Sequence, residues 1–375
     1  MNYLGPLAGE RRLNVAVIGS GISGLSAAWL LSQAHEVTVF EAAPRIGGHS
    51  DTVEIEGAEG PVAVDMGFIV YNEATYPNLT ALFETIGAPT VASDMSFAVS
   101  LDDGAFEYSG GSVIGLFARP ANIVSPRFWS MVRDLLRFYR EAPRDLARMS
   151  DASLDDYLEA NRYGRAFRDE HLFPMAAAIW STPAIEVGRH SAASFVRFCL
   201  NHGLLALRDR PVWRTVRGGS REYLRRLAAE LKGPIHVGRP VVAIERHADR
   251  VDILDASGER RSFSHVVIGT HADQALRLLP DADAREREIL GAFRYQPNEA
   301  VLHRDLTLMP RRRGAWSSWN YIGDAAATRR GPSVTYWMNR LQPLGRAGDA
   351  FVTLNPRTEP RQDLVLRRKI GRAHV

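Results

Sequence analysis

Cysteine and lysine are almost absent from this sequence of 375 residues. Cys199 is the single cysteine, which excludes an internal disulfide and a cysteine-rich metal site. We therefore expect no bound metal, and nothing requires an oxidising compartment. Lys232 and Lys369 are the only lysines, so arginine supplies nearly all of the positive charge. The net charge of +3 is spread along the chain among nearly as many carboxylates, which is typical of a solvated surface and not of a nucleic-acid partner.

Long apolar runs are also lacking. The segment Met1–Leu13 has no apolar core of the kind found in a signal peptide, and no stretch approaches the roughly 20 apolar residues that span a bilayer. The sequence therefore predicts a cytoplasmic protein that is soluble or lies on a membrane surface. A chain of this length with 45% apolar residues exceeds one compact domain of ordinary size, so we expect two interwoven domains.

The N-terminal part has the pattern of a βαβ unit, which indicates an α/β fold. Asn14–Ile18 is a short β-branched run typical of a buried strand. Ile22–Leu31 has the small and apolar residues of a buried helix, and Val37–Phe40 predicts a second strand. Strand patterns return near residues 235–268, after a region from Tyr76 to about Leu205 that is mainly helical.

A GxGxxG motif lies between the first strand and the first helix. It consists of Gly19, Gly21 and Gly24 and includes Ile22 and Ser23. This spacing lets backbone at a helix N-terminus approach a pyrophosphate, and a side chain at Gly21 would block that approach. Glu41 ends the second strand, where a carboxylate can accept hydrogen bonds from both ribose hydroxyls. The pattern predicts a dinucleotide site but does not separate NAD from FAD.

The residues that follow the second strand resemble the amine oxidase and phytoene desaturase superfamily. Its R-x-G-G segment, which wraps FAD near the pyrophosphate and ribityl groups, is matched here by Arg45, Gly47, Gly48 and His49. Asp65 and Gly67 look like its next strand-to-turn segment, which approaches the flavin ring. A buried turn without ligand contact is the alternative for Asp65.

The resemblance also implies FAD contacts in the returning segment and a division of the chain. Val242 resembles the position whose backbone meets the adenine, and Gly269 and Thr270 resemble the strand end beside the same nucleotide half. The implied architecture is a Rossmann-like FAD-binding domain interleaved with a mixed helical and β-sheet substrate domain. The expected segments are 12–72 and 215–273 for FAD binding, and 73–214 (mainly helical) and 274–368 for the substrate.

Further stretches resemble one bacterial group in the superfamily, described only as NAD/FAD-binding oxidoreductases. These stretches are Arg217–Tyr223, His271–Leu279, Trp316–Tyr321 and Tyr336–Leu341. Members of the group commonly neighbour, or in plants are fused to, enzymes that resemble cyclopropane fatty acid synthases. The resemblance thus implies a lipid-like substrate and a methyltransferase of that kind as a candidate partner.

The last six residues, Ile370–Val375, are what the bases ATC GGA AGA GCA CAC GTC encode, which match a common sequencing adapter. We interpret 369–375 as a read-through artefact, with the codon of Lys369 completed by adapter bases. The superfamily closes its FAD domain with a C-terminal strand, a Gly-rich turn and a helix, and we expect none of them after Phe351. This truncation would weaken FAD binding.

The sequence leaves the reaction open. Many amine oxidases carry a lysine that holds a water beside the flavin, on a strand that corresponds here to Asn298–His303, where no lysine occurs. This favours desaturation or dehydrogenation of a lipid-like substrate, acyl or isoprenoid, by hydride transfer to flavin N5. An amine oxidase that produces hydrogen peroxide and a non-catalytic flavoprotein partner of a lipid methyltransferase are the alternatives. His303 is the candidate polar group near the flavin, and a hydrogen-bonded structural histidine is its alternative.

Other residues have both a functional and a structural interpretation. The helix around Phe128–Tyr139 carries aromatic residues and arginines, which fit either peripheral membrane contact or a cover over the substrate lobe. Cys199 and His202 are interpreted as packing residues. The residues that could line an apolar substrate tunnel, or pack in the core, are Trp319, Asn320, Tyr321, Tyr336 and Met338.

Overall fold

The computed structural model describes residues 12–149, 151–180, 183–324 and 333–374. The strands are β1 (Asn14–Ile18), β2 (Glu36–Phe40), β3 (Thr52–Gly57), β4 (Gly60–Asp65), β5 (Val70–Asn72), β6 (Thr90–Ser93), β7 (Phe97–Leu101), β8 (Phe106–Ser109), β9 (Trp213–Val216), β10 (Ile235–His236), β11 (Val241–Arg246), β12 (Val251–Asp255), β13 (Arg260–Phe263), β14 (His265–Ile268), β15 (Tyr295–His303), β16 (Trp319–Gly323), β17 (Ser333–Trp337), β18 (Phe351–Leu354) and β19 (Val365–His374). The α-helices are α1 (Ile22–Leu31), α2 (Pro77–Thr85), α3 (Val113–Leu116), α4 (Pro126–Asp145), α5 (Leu154–Ala160), α6 (Arg165–Phe167), α7 (Phe173–Trp180), α8 (Ala184–Val187), α9 (Ala192–Asn201), α10 (Arg221–Glu230), α11 (Ala272–Leu278), α12 (Ala284–Gly291) and α13 (Met338–Leu341).

A parallel four-stranded sheet in the order β10-β2-β1-β14 carries the N-terminal βαβ unit. The predicted bounds of β1 and α1 are confirmed. Val15–Ile18 are all buried, as expected for a strand covered on both faces. Because parallel strands end at the same edge, the glycine turn after β1 meets the end of β14, which returns from more than 200 residues away.

A seven-stranded sheet in the order β19-β15-β18-β17-β16-β7-β8 forms the second large layer. Strand-like patterns around Ala300–His303, Ser333–Met338 and Phe351–Leu354 predict three of its strands, and the structure confirms them. The β7–β8 hairpin was not predicted, because it lies in a region that the pattern describes as mainly helical. In the sheet, β7 pairs with β16, for example Phe97 with Trp319. These residues are more than 200 positions apart, so no local sequence pattern could predict the pairing.

The strand β19, which the sequence analysis did not predict, follows Phe351. It pairs antiparallel with β15 along nine residue pairs, including Asn298 with Gly371 and Ala300 with Lys369. The strand therefore extends the seven-stranded sheet and is not part of the four-stranded sheet. In this order β19 is the edge strand, and β15 is paired on both sides.

A helical lobe packs between the sheets, and its longest member is α4. Ser125 followed by Pro126 predicts the start of this helix, and the structure confirms it: the Ser125 hydroxyl accepts a hydrogen bond from the Phe128 N–H at 3.2 Å, and Pro126 occupies the first helical position. Phe128, Met131 and Phe138 of α4 are buried in the main apolar core. The helix is thus held to the lobe by its apolar face.

Candidate active site

The turn between β1 and α1 is built so closely that it admits only glycine at several positions. A Cβ on Gly24 would lie 1.9 Å from the carbonyl oxygen of Gly19, and one on Gly269 would lie 2.8 Å from the Gly24 Cα. Gly19 has a φ of 94°, in the left-handed region. These contacts bring the N-terminus of α1 against the end of β14, as the GxGxxG spacing predicts.

Gly21 differs from its neighbours because it has free space around it. No atom lies within 4 Å of the place where its Cβ would be, and its φ of −62° suits any L-residue. The fold itself therefore does not require glycine here. Gly21 precedes the first turn of α1, whose N–H groups lack helical partners and favour an anion.

Glu41 lies at the end of β2 beside the same turn. Its carboxylate accepts hydrogen bonds from the Ser20 N–H at 2.9 Å, the Ser20 hydroxyl at 2.6 Å and the Ala43 N–H at 2.8 Å. These bonds fix the side chain so that it lines the cavity described below. A carboxylate has about four acceptor positions, so an acceptor for a ribose hydroxyl remains.

The segment that contains Arg45 forms a second turn against the first. Its guanidinium donates to the carbonyl oxygens of Ser50 at 3.0 Å and Gly48 at 3.1 Å, and pairs with Asp51 at 3.1 Å. Gly48 has a φ of 56°, and a Cβ there would lie 3.2 Å from the Gly21 Cα. Arg45 therefore holds this turn in shape and does not itself line the cavity.

The two turns, β14 and α11 enclose a cavity of about 990 Å³. Ten of the predicted site residues line it: Gly19, Gly21, Ile22, Ser23, Glu41, Gly47, Gly48, His49, Gly269 and Thr270. Gly67 lines a neighbouring cavity instead. Five predicted residues line neither: Gly24, Arg45, Asp65, Val242 and His303. The glycine cradle is thus brought together with Gly269 and Thr270 at the end of β14, whereas Val242 and His303 lie outside both linings.

Val242 is replaced in the lining by its neighbour Val241. The Val242 side chain is half exposed, because successive side chains of β11 point to opposite faces. The predicted contact of the Val242 backbone with the adenine stays a prediction.

Asp65 is buried at the end of β4, where it links three segments of the chain. Its carboxylate accepts hydrogen bonds from the Thr52 hydroxyl at 2.6 Å, the Ser220 N–H at 2.9 Å and the Gln342 amide at 2.7 Å. Burial raises the pKa of Asp65, and these hydrogen bonds oppose the rise. Asp65 lines neither cavity, which favours the alternative interpretation of a buried turn without ligand contact.

A second cavity of about 590 Å³ adjoins the first and is mostly apolar. Its lining includes Met66, Ile69, Val70, Met95, Phe97, Met175, Ile179, Trp180, Phe198, Leu204, Trp213, Trp319, Tyr336 and Leu354. Among the described residues that line it there is no aspartate or glutamate. Such a cavity is in the size range of small-molecule sites and offers no counter-charge to a cation.

The two cavities share His49, Phe68 and Tyr76, together with Lys369 and Gly371 of β19. The lysine was not expected near this position. Its ammonium pairs with Asp51 at 2.7 Å. We assign no function to Lys369.

Tyr76 and His202 form a hydrogen-bonded pair that the sequence did not predict. The His202 Nδ1 donates to the Phe198 carbonyl at 2.9 Å, which leaves Nε2 as an acceptor 3.4 Å from the Tyr76 hydroxyl. Burial raises the pKa of Tyr76. His202 is thus more than a packing residue, whereas Cys199 is buried and its pKa is raised to about 12, as packing predicts.

His271 of the returning segment is another residue without a predicted role. Its ring stacks on His49 at 5.2 Å and on Tyr295 at 4.5 Å between ring centroids. The stack connects the R-x-G-G turn with the N-terminus of α11 at the wall of the larger cavity. The segment His271–Leu279 resembles one bacterial group of the superfamily. That resemblance did not predict a role for His271.

His303 lines neither cavity, and its hydrogen bonds favour the structural interpretation. Its Nδ1 accepts the Asp305 N–H at 3.1 Å, and its Nε2 contacts the Thr353 hydroxyl at 2.7 Å. That hydroxyl is 2.9 Å from the Thr335 hydroxyl, which donates to the Leu308 carbonyl. Burial lowers the pKa of His303 to about 4. It is the hydrogen-bonded structural histidine of the alternative interpretation.

Of the predicted tunnel residues, Trp319 and Tyr336 line the apolar cavity. Asn320, Tyr321 and Met338 are buried elsewhere. Successive side chains of β16 point to opposite faces of the sheet, so Asn320 points away from the face of Trp319. The Asn320 amide donates hydrogen bonds to the backbone carbonyls of Ser317 and Thr335.

One cluster outside the cavities has the spacing of a cation site. Atoms of Glu245, His247 and Asp252 lie within 4.8 Å of one another. Arg260 pairs with Glu245, and His247 contacts Asp252 at 3.1 Å. Because these groups are already paired with one another and with arginine, we assign no metal to them.

A family model described as flavin-containing amine oxidoreductase matches residues 22–303. The chain belongs to this family. Its cofactor is accordingly FAD, and the observed residues fit it: an open Gly21 at a helix N-terminus, a second glycine turn and Glu41 at the end of β2.

Relatives within the family differ in what their names say they act on. The chain is 28% identical over 258 residues to AofH of Mycobacterium tuberculosis, named a flavin-containing monoamine oxidase, with 66% of this chain and 54% of AofH covered. It is 34% identical over 114 residues to the zeta-carotene desaturase of Zea mays, covering 30% of this chain and 17% of that protein. A fatty acid isomerase from P. acnes has the same fold, with a TM-score of 0.62, 16% identity and coverage of 96% and 86%. The chain thus spans about half the length of AofH.

Among the described residues, the helices are too short or too polar to cross a bilayer.

Proposed function

We propose that this chain carries the FAD and substrate sites of an oxidoreductase that desaturates or dehydrogenates a lipid-like substrate. The observation that carries the proposal is the apolar cavity that shares His49, Phe68 and Tyr76 with the dinucleotide cavity. FAD, when bound, supplies the acceptor for the hydride that leaves a substrate carbon. The protein then has to hold the substrate, exclude water and receive a proton.

The glycine turns and Glu41 are the residues that would hold FAD. The apolar side chains of the smaller cavity would orient a hydrocarbon chain and keep water away. Removal of two hydrogens from neighbouring carbons releases one hydride and one proton, so desaturation also needs a proton acceptor. Tyr76 is the candidate acceptor, because it lies at the junction and can pass its own hydroxyl proton to Nε2 of His202 as it takes up the substrate proton.

The similarity to AofH, which is named a monoamine oxidase, favours an amine oxidase as the alternative. A protonated amine in a closed apolar cavity needs a counter-charge, and none of the described residues lining the smaller cavity is a carboxylate. The non-catalytic partner of a lipid methyltransferase is a further alternative from a different functional class.

Anaerobic mixing of the FAD-loaded protein with separate panels of acyl compounds, isoprenoids and amines tests these alternatives. Loss of the oxidised flavin absorbance with an acyl or isoprenoid compound is expected. Reduction by amines alone, with hydrogen peroxide formed in air, would replace the proposal by the amine oxidase. Flavin that no panel reduces, combined with a methyltransferase whose activity depends on this chain, would support the partner role.

We also propose peripheral contact with an anionic membrane, although not through the face predicted from the sequence. The aromatic face of α4 is largely buried, whereas Val113, Ile114, Ile123 and Val124 beside it are exposed. The Trp129 indole N–H donates a hydrogen bond to the Ile123 carbonyl at 2.8 Å, which holds Trp129 beside these exposed residues. Residues 113–148 contain seven arginines and three carboxylates, which suits anionic lipids.

Flotation with vesicles of phosphatidylglycerol or of phosphatidylcholine tests the contact. We expect the anionic vesicles to retain the protein and the double variant Ile114→Ser, Val124→Ser to lose this retention. Ile289→Ser, at an exposed apolar residue of α12, is the matched control. Equal retention of the double variant and the control would contradict the proposed contact.

A further inference from the structure

The apolar cavity contains a tyrosine hydroxyl that the protein leaves without a hydrogen-bond partner. Tyr336 of β17 lines this cavity, and the residue is only 7% exposed. None of the described residues forms a hydrogen bond with its hydroxyl. The oxygen keeps accessible surface, unlike the buried side-chain atoms that lack both a partner and contact with open space. A ligand can therefore reach it.

The sheet directs this hydroxyl into the cavity. β17 pairs with β16 on one side and with β18 on the other, so Tyr336 shares its face of the sheet with Trp319 and Leu354. Phe97 of β7 and Ala300 of β15 continue the same face. All five side chains line the apolar cavity, so this face of the sheet is one of its walls. Side chains of a strand stand roughly perpendicular to the sheet, and Tyr336 therefore projects from this wall into the cavity.

The Tyr336 side chain is held in this direction by its surroundings. The ring of Trp319 packs edge-on against it, with 4.8 Å between the ring centroids and an angle of 78°. Burial raises the pKa of Tyr336 above its usual value, so the hydroxyl stays protonated at neutral pH and has a proton to donate. The cavity thus holds a positioned, neutral hydrogen-bond donor in a mostly apolar wall.

Tyr336 lies away from the junction of the two cavities. It lines the apolar cavity and not the dinucleotide cavity. In the sheet, β18 and β15 lie between β17 and β19, whose Gly371 lines both cavities. Three strand spacings therefore separate β17 from β19, which is about 14 Å. The hydroxyl is suited to bind a part of the ligand that does not react at the flavin.

A tyrosine hydroxyl in such a cavity recognises a ligand by the hydrogen bond that the two can form. A carbonyl oxygen accepts the hydroxyl proton, whereas a hydrocarbon leaves the buried hydroxyl unpaired at a cost in free energy. An ionised carboxylate brings a charge that a mostly apolar cavity does not favour. A neutral acyl compound therefore fits both the apolar wall and the hydroxyl.

We infer that Tyr336 is a specificity-determining residue, whose hydroxyl donates a hydrogen bond to the carbonyl oxygen of a neutral acyl compound and so selects it over a hydrocarbon of the same shape. This inference rests on the proposed lipid-like substrate and narrows it from acyl or isoprenoid to acyl. Because the carbonyl is held away from the junction, the hydrocarbon chain is the part that reaches the flavin. The carbons that lose hydrogen then lie within the chain and not beside the carbonyl.

A comparison of two ligands of equal length tests the inference. They are methyl dodecanoate and tetradecane, in which CH₂ groups replace the carbonyl group and the ester oxygen. Dissociation constants are measured on the FAD-loaded protein by displacement of a fluorescent fatty-acid analogue. Tyr336→Phe removes only the hydroxyl and should weaken binding of the ester about five- to tenfold, the range of one neutral hydrogen bond. Tetradecane should bind to this variant as tightly as to the wild type.

Tyr321→Phe is the matched control, because Tyr321 is a buried tyrosine of the neighbouring strand that lines neither cavity. This variant should bind both ligands like the wild type. The infrared band of an isotope-labelled ester carbonyl gives a readout on the wild type, which covers the case that Tyr336→Phe fails to fold. The band should lie at a lower frequency in the bound ester than in the same ester dissolved in an alkane, because a hydrogen bond weakens the C=O bond.

A folded Tyr336→Phe variant that binds the ester like the wild type, or a bound carbonyl band at its alkane frequency, would overturn the role of Tyr336 and leave the lipid site standing. A wild type that binds neither ligand, while amines reduce its flavin, would overturn the inference together with the proposed function.

Discussion

At the scale of single residues, Tyr76 is the position where the proposed chemistry depends most on one side chain. If its hydroxyl receives the substrate proton, Tyr76→Phe should lower kcat by about a hundredfold or more with the acyl compound that reduces the flavin. FAD occupancy should stay unchanged. Turnover and flavin content of the purified variant are the measurements. Tyr321→Phe, at a buried tyrosine outside both cavities, is the control.

A change in flavin reduction equal to that of the Tyr321 control would contradict this role. The pH profile gives a second readout, because removal of a proton acceptor should abolish one limb of the profile of kcat. A purely structural role of Tyr76 would leave the shape of that profile intact.

The buried histidines link stability to pH. Burial lowers the pKa of His303 and of His171 to about 4, below the value of about 6.5 that the unfolded chain has. Between these two values the unfolded chain binds protons that the folded chain does not bind. The free energy of unfolding should therefore fall as the pH decreases from about 6.5 towards 4.

Urea unfolding followed by circular dichroism at about pH 7, 6 and 5 measures this slope. His303→Gln should unfold at lower urea at pH 7 and should show a shallower decline on acidification. His265→Gln, at an exposed histidine, is the control and should keep the wild-type slope. A His303→Gln slope as steep as that of the wild type would show that His303 does not contribute.

These residues also show where sequence reasoning ends. The glycines and Glu41 could be predicted because their function follows from spacing within one βαβ unit. His303 and Asp65 could not be placed, since their hydrogen-bond partners, such as Thr353 and Ser220, lie about 50 and 155 residues away. Nothing in the local sequence distinguishes a satisfied buried histidine from one at a cavity.

At the scale of elements, the turn between β1 and α1 makes a prediction that separates folding from binding. Gly24→Ala places a Cβ 1.9 Å from backbone that cannot move away, so we expect a loss of about 2 kcal/mol or more in the free energy of unfolding. Gly21→Ala meets no atom within 4 Å and should unfold like the wild type. Urea unfolding without added FAD compares the two variants. Equal stability would contradict the close packing of α1 on the turn.

The elements themselves were predicted unevenly for a physical reason. The bounds of β1 and α1 follow from composition and cap residues within the segment, and so does the start of α4. The β7–β8 hairpin and β19 depend on partners far along the chain. Their strand conformation is stabilised by tertiary pairing, which local propensity does not report.

At the scale of the whole molecule, the function depends on two cavities that meet. Three segments distant in sequence supply the junction and the apolar wall: the R-x-G-G turn with His49, the helix end with His202 and β16 with Trp319. The sequence predicts that FAD and a lipid-like ligand bind, and the fold shows that the two cavities proposed to hold them adjoin. The relatives share this fold while their names give different substrates, so the lining decides the substrate.

The central claim is that the glycine cradle of this chain holds FAD, and a titration of the folded protein with FAD tests it most directly. The account predicts saturable binding near one FAD per chain, with quenched flavin fluorescence and no competition from NAD. Gly110→Ala, at an open glycine outside the cavities, should bind equally, and Gly21→Ala should bind far more weakly although it is equally folded. A folded wild type that does not bind FAD, or a Gly21→Ala variant that binds it like the wild type, would contradict the account.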